Sequence, residues 1–343
     1  MASRGRAEVE VFAPARVDLA GGTLDLWPLY CLHPGSLTVN AAVGCGVRVR
    51  VAEGGAAPGR VRLISPRATP AVLRPRDAAR DLVAAVAFHI HPAGGLAVEI
   101  LEQPPVGSGL GASSALAVAV ARGCLALDRR RVPRQRLVAT LRDLEARVLG
   151  APTGVQDYLP ALLGGVLAIH LEPGGERVER LDIPPRWVAE RLVVVFSGIS
   201  HLSGQVNWEV YRARVDGDRG VARALAAIAA AAADCRRALR ARDERAVGRA
   251  VAAEWRARVR LAPPVTNPAV DALLAAGMAA GARAAKACGA GGGGSVLFWV
   301  PPARRLAVRD AALAAASTDA VEIPASPAGR GAVVRRRHAP PGV

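Results

Sequence analysis

Three glycines at alternate positions, Gly107, Gly109 and Gly111, run directly into two hydroxyl residues, Ser113 and Ser114. Glycine lets backbone N–H groups approach a ligand and tolerates positive φ. A helix beginning here would add unpaired N–H donors and the positive end of its dipole. Together these form a cradle for an anion, and a nucleotide phosphate chain is the anion that fits best. The serines are open to three uses: capping the helix, binding phosphate oxygens, or offering a hydroxyl to a cation. The spacing alone equally allows a glycine-rich turn with a serine N-cap. Two other phosphate loops are excluded. Ala112 stands where the third glycine of a GxGxxG fingerprint belongs, and no Gly-Lys-Ser/Thr completes a Walker A loop.

Three further stretches carry polar groups beside glycine. Gly21-Gly22 precedes Thr23 and Asp25, which read either as a capped strand–turn or as a substrate loop. Glu145 lies at the edge of an apolar helix face, where a solvated charge is the commoner outcome, and Asp157 sits in a loop closed by Gly164-Gly165. Cys288-Gly-Ala-Gly-Gly-Gly-Gly-Ser295 runs into an apolar strand, which a flexible linker would hardly do.

The elements that must position these groups follow from periodicity. Alternation predicts strands at 8–12, 37–43, 47–51, 61–64, 95–103, 166–171 and 191–196, with turns at 44–46 and 54–59. Helical spacing predicts helices at 79–90, 114–127, 134–149, 220–242, 244–261 and 269–281. His89 and His91 straddle the end of the first helix and are expected at the surface. The Pro/Gly-rich, charged segment 172–186 marks a boundary between domains 1–185 and 186–343. A substrate-facing loop is expected around His201, and a disordered tail at 335–343.

Composition sets the outer limits. A chain of 343 residues with 51% hydrophobic content can bury a large core, as two domains or one large one. No run of about 18 apolar residues predicts a membrane span, and the first residues lack the apolar core of a signal peptide. Five scattered cysteines without a CxxC pair indicate neither a disulfide framework nor a zinc site, which fits a reducing cytoplasm. The net charge of +16 is carried by dispersed arginine, with Lys286 the one lysine, and aromatics are only 3%. Little is therefore available to stack on bases, and no nucleic-acid or membrane partner is expected.

The run from Pro105 to Ala115, Pro-x-Gly-x-Gly-Leu-Gly-x-Ser-Ser-Ala, resembles the phosphate loop of the GHMP kinases. The segment from Pro14 to Asp25 resembles the first motif of that family's sugar branch. The spacing from Glu145 through Gly150 and Gly154 to Asp157 is similar to its acidic stretch, and Cys288–Gly294 to its third motif. The resemblance implies a two-domain α/β (α+β) GHMP kinase fold, with an N-terminal β-α-β phosphate-binding domain and a ferredoxin-like C-terminal one. It also implies ATP and Mg²⁺. Pro105, Gly107, Ser108, Gly109, Leu110, Gly111, Ala112, Ser113 and Ser114 would bind ATP. Ser114 and Glu145 would hold Mg²⁺. Asp157 would accept the proton, with Arg16 at the reacting centre. Gly22, Thr23, Asp25, Gly291 and Gly292 would face the substrate. Galactokinases carry Glu-His where Gly22-Thr23 stands here, so the loop is more similar to the heptose-phosphate kinase and fucokinase branches. The implied activity is phosphoryl transfer from ATP to a hydroxyl of a sugar or sugar phosphate, by a monomer or homodimer. A mevalonate- or homoserine-type kinase fits Asp25 poorly, since an apolar precursor does not need that acceptor. A silent sugar sensor fits poorly with Arg16, Ser114, Glu145 and Asp157 all retained.

Overall fold

The computed structural model describes residues 7–338, apart from 67, 201–202 and 263–264. The first half supplies seven strands of an eight-stranded sheet, whose eighth comes from the C-terminal end. Strands β1 (Ala7–Ala20) and β2 (Leu37–Pro58) form a long antiparallel pair, joined by β3 (Val61–Ser65), β4 (Ala68–Leu73) and β5 (Gly94–Glu102). Helix α1 (Leu82–Ile90) precedes β5. Helices α2 (Ala112–Leu127), α3 (Arg134–Leu149) and α4 (Tyr158–Leu163) follow it, and then the hairpin β6 (Val166–Glu172) and β7 (Gly175–Leu181). β6 pairs with β2, and among the described residues only the β3–β5 pairing is parallel. Small side chains let α2 lie close on the sheet: a Cβ at Gly123 would sit 2.5 Å from Val51 Cγ2.

The second half comprises α5 (Pro185–Ala189), β8 (Leu192–Phe196), α6 (Ser203–Val215), α7 (Arg219–Arg240), α8 (Glu244–Arg258), α9 (Pro268–Ala279), β9 (Ala284–Ala287), β10 (Ser295–Trp299), α10 (Arg305–Ala314) and β11 (Val321–Glu322). Its four strands form an antiparallel sheet in the order β11-β8-β10-β9. Alternation in β8 serves two cores. Val193 and Val195 pack with α9 and α10, whereas Val194 and Phe196 share a core with Val17, Leu19 and Val39 of the first sheet. The two halves are therefore joined through packed interior.

The mixed α/β architecture and the long helices agree with the sequence, and four local expectations change. The expected turn at 44–46 is a bulge within β2, with the register shifting between Pro14 and Ala15. Gly46 is required by close approach, because a Cβ there would sit 2.3 Å from the Ala13 carbonyl oxygen. The 54–59 stretch likewise continues β2 as far as Pro58. The 172–186 segment, read as the boundary between domains, contains β7. The described part of the expected tail, 335–338, is ordered: β12 (Val333–His338) returns to pair with β1, and Arg337 reaches Glu10 Oε2 at 2.7 Å. His89 is exposed as expected, but His91 finds a partner remote in sequence, Asp128 Oδ1, at 2.7 Å. The expectation for His201 falls outside the described residues. All five cysteines are free, and among the described residues no helix is long and apolar enough to cross a membrane.

A buried group of four charges crosses the shared core. It joins Asp18 on β1, Glu254 and Arg258 on α8, and Lys286 on β9, none more than 1% exposed. Lys286 Nζ lies 3.1 Å from Asp18 Oδ2 and 3.0 Å from Glu254 Oε2, while Arg258 Nη2 lies 2.5 Å from Glu254 Oε1. Burial alone would raise the Asp18 pKa, but Lys286, Arg258 and Arg16 outweigh it and hold the carboxyl below its usual value. Two acids and two bases balance here, so removing one leaves a charge in a dry interior. Lys286→Met should therefore cost about 3–5 kcal/mol, seen as a lower urea midpoint. An unchanged midpoint would show that the four charges do not act as a unit.

Candidate active site

The glycine loop leads into α2 as a chain of left-handed residues, with φ of 71°, 72° and 69° at Gly107, Gly109 and Gly111. The N-cap of α2 is Gly111, and no side chain caps it. The first N–H groups of α2 therefore stay open to an anion. Ser113 is exposed and Ser114 buried, so neither serves as the cap allowed by the spacing. Two glycines are needed for closeness as well as for φ. A Cβ at Gly109 would sit 2.5 Å from the Cys288 carbonyl oxygen, and one at Gly111 would sit 3.0 Å from Asp157 Cγ. The second glycine run supports the loop from behind: Ser295 N–H donates to the Ser108 carbonyl at 2.9 Å, and a Cβ at Gly294 would sit 3.0 Å from the Gly107 carbonyl oxygen. Pro105 closes the loop's first turn by accepting from Ser108 N–H.

Arg16 ties this loop to the acidic stretch. Its Nε donates to Asp157 Oδ1 at 2.7 Å and its Nη1 to the Gly109 carbonyl at 2.5 Å, while Nη2 lies 2.7 Å from Asp157 Oδ1. Its backbone N–H donates to the Leu110 carbonyl at 3.0 Å. Burial works against the Arg16 cation, but the Asp157 carboxylate, then Asp18, outweighs it and raises the guanidinium pKa. Asp157 begins α4 without capping it by its side chain. Its carboxylate points instead to Arg16 and to the bare Cα of Gly111.

Asp25 is buried beside this pair. Its Oδ2 accepts from Gln156 N–H at 2.9 Å, and Gly154 has no room for a Cβ against the carboxylate. Burial, partly opposed by the Gln156 bond and reinforced by Asp157, pushes the Asp25 pKa up to about 6. The Gly22 carbonyl and Thr23 Oγ1 accept from Arg258, at 2.9 and 3.1 Å. Gly291 and Gly292 lie against Val265, whose carbonyl accepts from Gly292 N–H, and Asn267 Nδ2 donates to the Gly292 carbonyl.

Ser114 and Glu145, 31 residues apart, meet across α2 and α3: the Ser114 hydroxyl donates to Glu145 Oε2 at 2.9 Å. The Tyr158 hydroxyl donates to the same oxygen. Burial raises the Glu145 pKa against the bonds from Ser113, Tyr158 and Ser114. Two hard oxygens at this separation fit Mg²⁺, since cis ligands in an octahedron with bonds of about 2.0–2.1 Å lie about 2.9 Å apart. No cluster of three or more His, Cys, Asp or Glu residues suited to a metal occurs among the described residues. A hydroxyl with one carboxylate is the donor set of a magnesium that takes its other ligands from phosphate and water.

Spacing alone did not reveal Tyr158, Asp18, Glu254, Arg258 or Lys286 as part of this region. The available signals were a lone lysine in an arginine-rich chain and an acid–base pair at i,i+4 on α8. The Gly111–Asp157 approach gives a direct test. Gly111→Ala should cost about 1–2 kcal/mol in left-handed strain, read as a small fall in melting temperature. It should lower turnover by about 10–100-fold, because the Asp157 carboxylate must shift. Normal turnover would show that this contact does not set the carboxylate.

With this geometry in view, the comparisons with known proteins are informative. The family models "GHMP kinases N terminal domain" and "GHMP kinases C terminal" match residues 76–165 and 235–317, together just over half of the chain. The bifunctional fucokinase/GDP-fucose pyrophosphorylase of Arabidopsis thaliana is 30% identical over 217 residues, 62% of this chain but only 20% of that protein. The chain thus spans about a fifth of that relative's length. The galactokinase of Mycobacterium tuberculosis is 29% identical over 281 residues, 74% of this chain and 75% of that one. The structure of Lactococcus lactis galactokinase complexed with galactose superposes with a TM-score of 0.76, at 19% identity and 95% coverage of both chains, which is a likeness of fold. The matched models bracket the glycine loop and the α7–β10 scaffold, and the chain belongs to the GHMP kinases.

Proposed function

We propose that this protein transfers the γ-phosphoryl group of ATP to a hydroxyl of a sugar or sugar phosphate. The observation that carries the reading is the Arg16–Asp157 pair, fastened to the glycine loop at Gly109, with Asp25 buried beside it. Phosphoryl transfer needs little covalent chemistry from a protein and depends on positioning and charge stabilisation. The open N–H groups of the loop and of α2 hold the phosphate chain. Magnesium, held by Ser114 and Glu145, would neutralise charge on the transferring phosphate.

Asp157 uses Oδ1 for Arg16, which leaves Oδ2 for the proton of the acceptor hydroxyl. Three of the five Arg16 N–H groups are engaged, and the other two remain for charge developing at the transfer point. Asp25 accepts hydrogen bonds from other hydroxyls of the acceptor, which fits a polyol better than an apolar precursor. The names of the fucokinase and galactokinase relatives support the same acceptor class. An ADP-release screen over galactose, fucose and heptose 7-phosphate, with mevalonate and homoserine as controls, tests the reading. Turnover of a control but of no sugar would overturn it.

Asp157→Asn should lower kcat by about 10²–10⁴-fold, the scale of general-base catalysis, with ATP affinity retained in a direct titration. Near-normal turnover would remove Asp157 from the mechanism.

Asp25 gives a pH dependence with a definite sign. With its pKa at about 6, it is an acceptor above that pH and a protonated acid below it. The sugar KM should rise as pH falls through about 6, while the ATP KM should not follow. Stability runs the other way. A folded pKa above the unfolded value favours folding at low pH, and that contribution is lost as pH rises from about 4 to about 6. Asp25→Asn should therefore become more stable relative to the parent across that window, by up to about 3 kcal/mol. A constant difference in melting temperature between pH 4 and 7 would contradict the assignment.

A further inference from the structure

Arg258 takes no part in the chemistry above, yet it is 1% exposed and touches two of the chain's glycine motifs. All five of its N–H donors have acceptors. Nε donates to Glu254 Oε1 at 2.8 Å. Nη1 donates to Thr23 Oγ1 at 3.1 Å and to the Gly289 carbonyl at 3.4 Å. Nη2 donates to the Gly22 carbonyl at 2.9 Å and to Glu254 Oε1 at 2.5 Å. No donor is left for a ligand, so any influence on the reaction passes through these contacts.

The contacts fall on a strained turn. Thr23 has φ 74°, a left-handed conformation that is a genuine outlier for a β-branched residue. A Cβ at Gly22 would lie 2.5 Å from Asp18 Oδ2 and 2.8 Å from Arg258 Nη2, so the backbone rests directly on the buried charges. Two residues further on, Asp25 meets Gln156 N–H. On the other side, Gly289 follows Cys288, whose carbonyl abuts Gly109 of the phosphate loop.

We propose that Arg258 is a positioning residue for the acceptor: its guanidinium, held by Glu254 on α8, keeps Gly22-Thr23 in the strained turn and so sets the position of Asp25. Strain of this kind persists only where the surroundings over-determine it. Thr23 then serves the site as an anchor for Arg258, and its loss should be felt by the acceptor and not by ATP. This inference rests on the reading of Asp25 as the acceptor-binding carboxylate.

Thr23→Gly separates the positioning role from a structural one. It removes the left-handed strain, which offsets part of the cost of the lost hydrogen bond, so the melting temperature should fall only slightly. The acceptor KM should nevertheless rise by about tenfold or more, as for a lost hydrogen bond to a charged group. The ATP KM should stay within about twofold, and Thr23→Ser should rescue the acceptor KM, since it restores the hydroxyl. Arg258→Lys, which keeps the charge but loses the fork, should show the same split between the two KM values if it folds. The measurements use ADP release with galactose, fucose and heptose 7-phosphate. An unchanged acceptor KM in Thr23→Gly, or equal rises for ATP and acceptor, would overturn the positioning role alone. A parent enzyme that turns over none of the three sugars would overturn the acceptor reading, and this role with it.

Discussion

The buried group of Asp18, Glu254, Arg258 and Lys286 is the constraint on which the arrangement of the molecule depends. Each member comes from an element with other duties: the first strand, the long helix behind the second sheet, and the strand that opens the glycine run. Charges in a dry interior tolerate little displacement, because desolvation is repaid only while partners stay within contact. The group therefore fixes the relation between β1, α8 and β9 more sharply than apolar packing would, since hydrophobic contact is non-directional. Apolar side chains supply the area: the core around it includes Val17, Leu19, Val251 and Trp299.

From that anchor the site follows along the backbone. Asp18 lies two residues after Arg16 on the same strand, so the strand's period of two places both on one face. Fixing Asp18 thereby fixes Arg16, which reaches the Gly109 carbonyl and Asp157 in one span of its side chain. The positive φ at the loop glycines lets the phosphate loop come within reach, and the missing Cβ of Gly111 leaves the space that the Asp157 carboxylate occupies. Tyr158 adds a second link. It follows Asp157 directly and holds Glu145, so one short helix start references both the proton acceptor and the magnesium carboxylate of the proposed mechanism.

The extent to which this could be read in advance tracks the range of the physics. The glycine loop, the helix after it and the alternating strands are local, and 95–103 became Gly94–Glu102 with little change. The 44–46 turn failed because a bulge and a hairpin turn use the same small residues. What decided between them was the Ala13 carbonyl on a strand more than thirty residues away. The tail at 335–343 looked solvated because arginine on an edge strand carries the same composition as a disordered end. Pairing with β1 is a long-range fact. The local pattern at Glu145 favoured a solvated helix charge, while the family resemblance made it a magnesium ligand; its burial shows only in the approach of α2 and Tyr158. Asp18 had no local signature, and the signals at Glu254 and Lys286 were weak, since a buried charge is identified by partners that the fold alone supplies.

The same accounting bears on the acceptor. Burial opposes the Asp25 charge, and Asp157 stands close enough to add to that cost. Neutral hydroxyls donating to both would relieve it, which is what a sugar offers and a second anion does not. An acceptor that already carries a phosphate would need a cation to hold that group. Arg258 has no donor to spare, and the two free N–H groups of Arg16 lie beside Asp157, where the transferred group must pass. A phosphate on the acceptor would therefore have to extend away from these two carboxylates to an arginine outside the buried centre. On the proposed reading, the centre itself would discriminate by hydroxyl geometry, through Asp25 and Asp157, and not by charge.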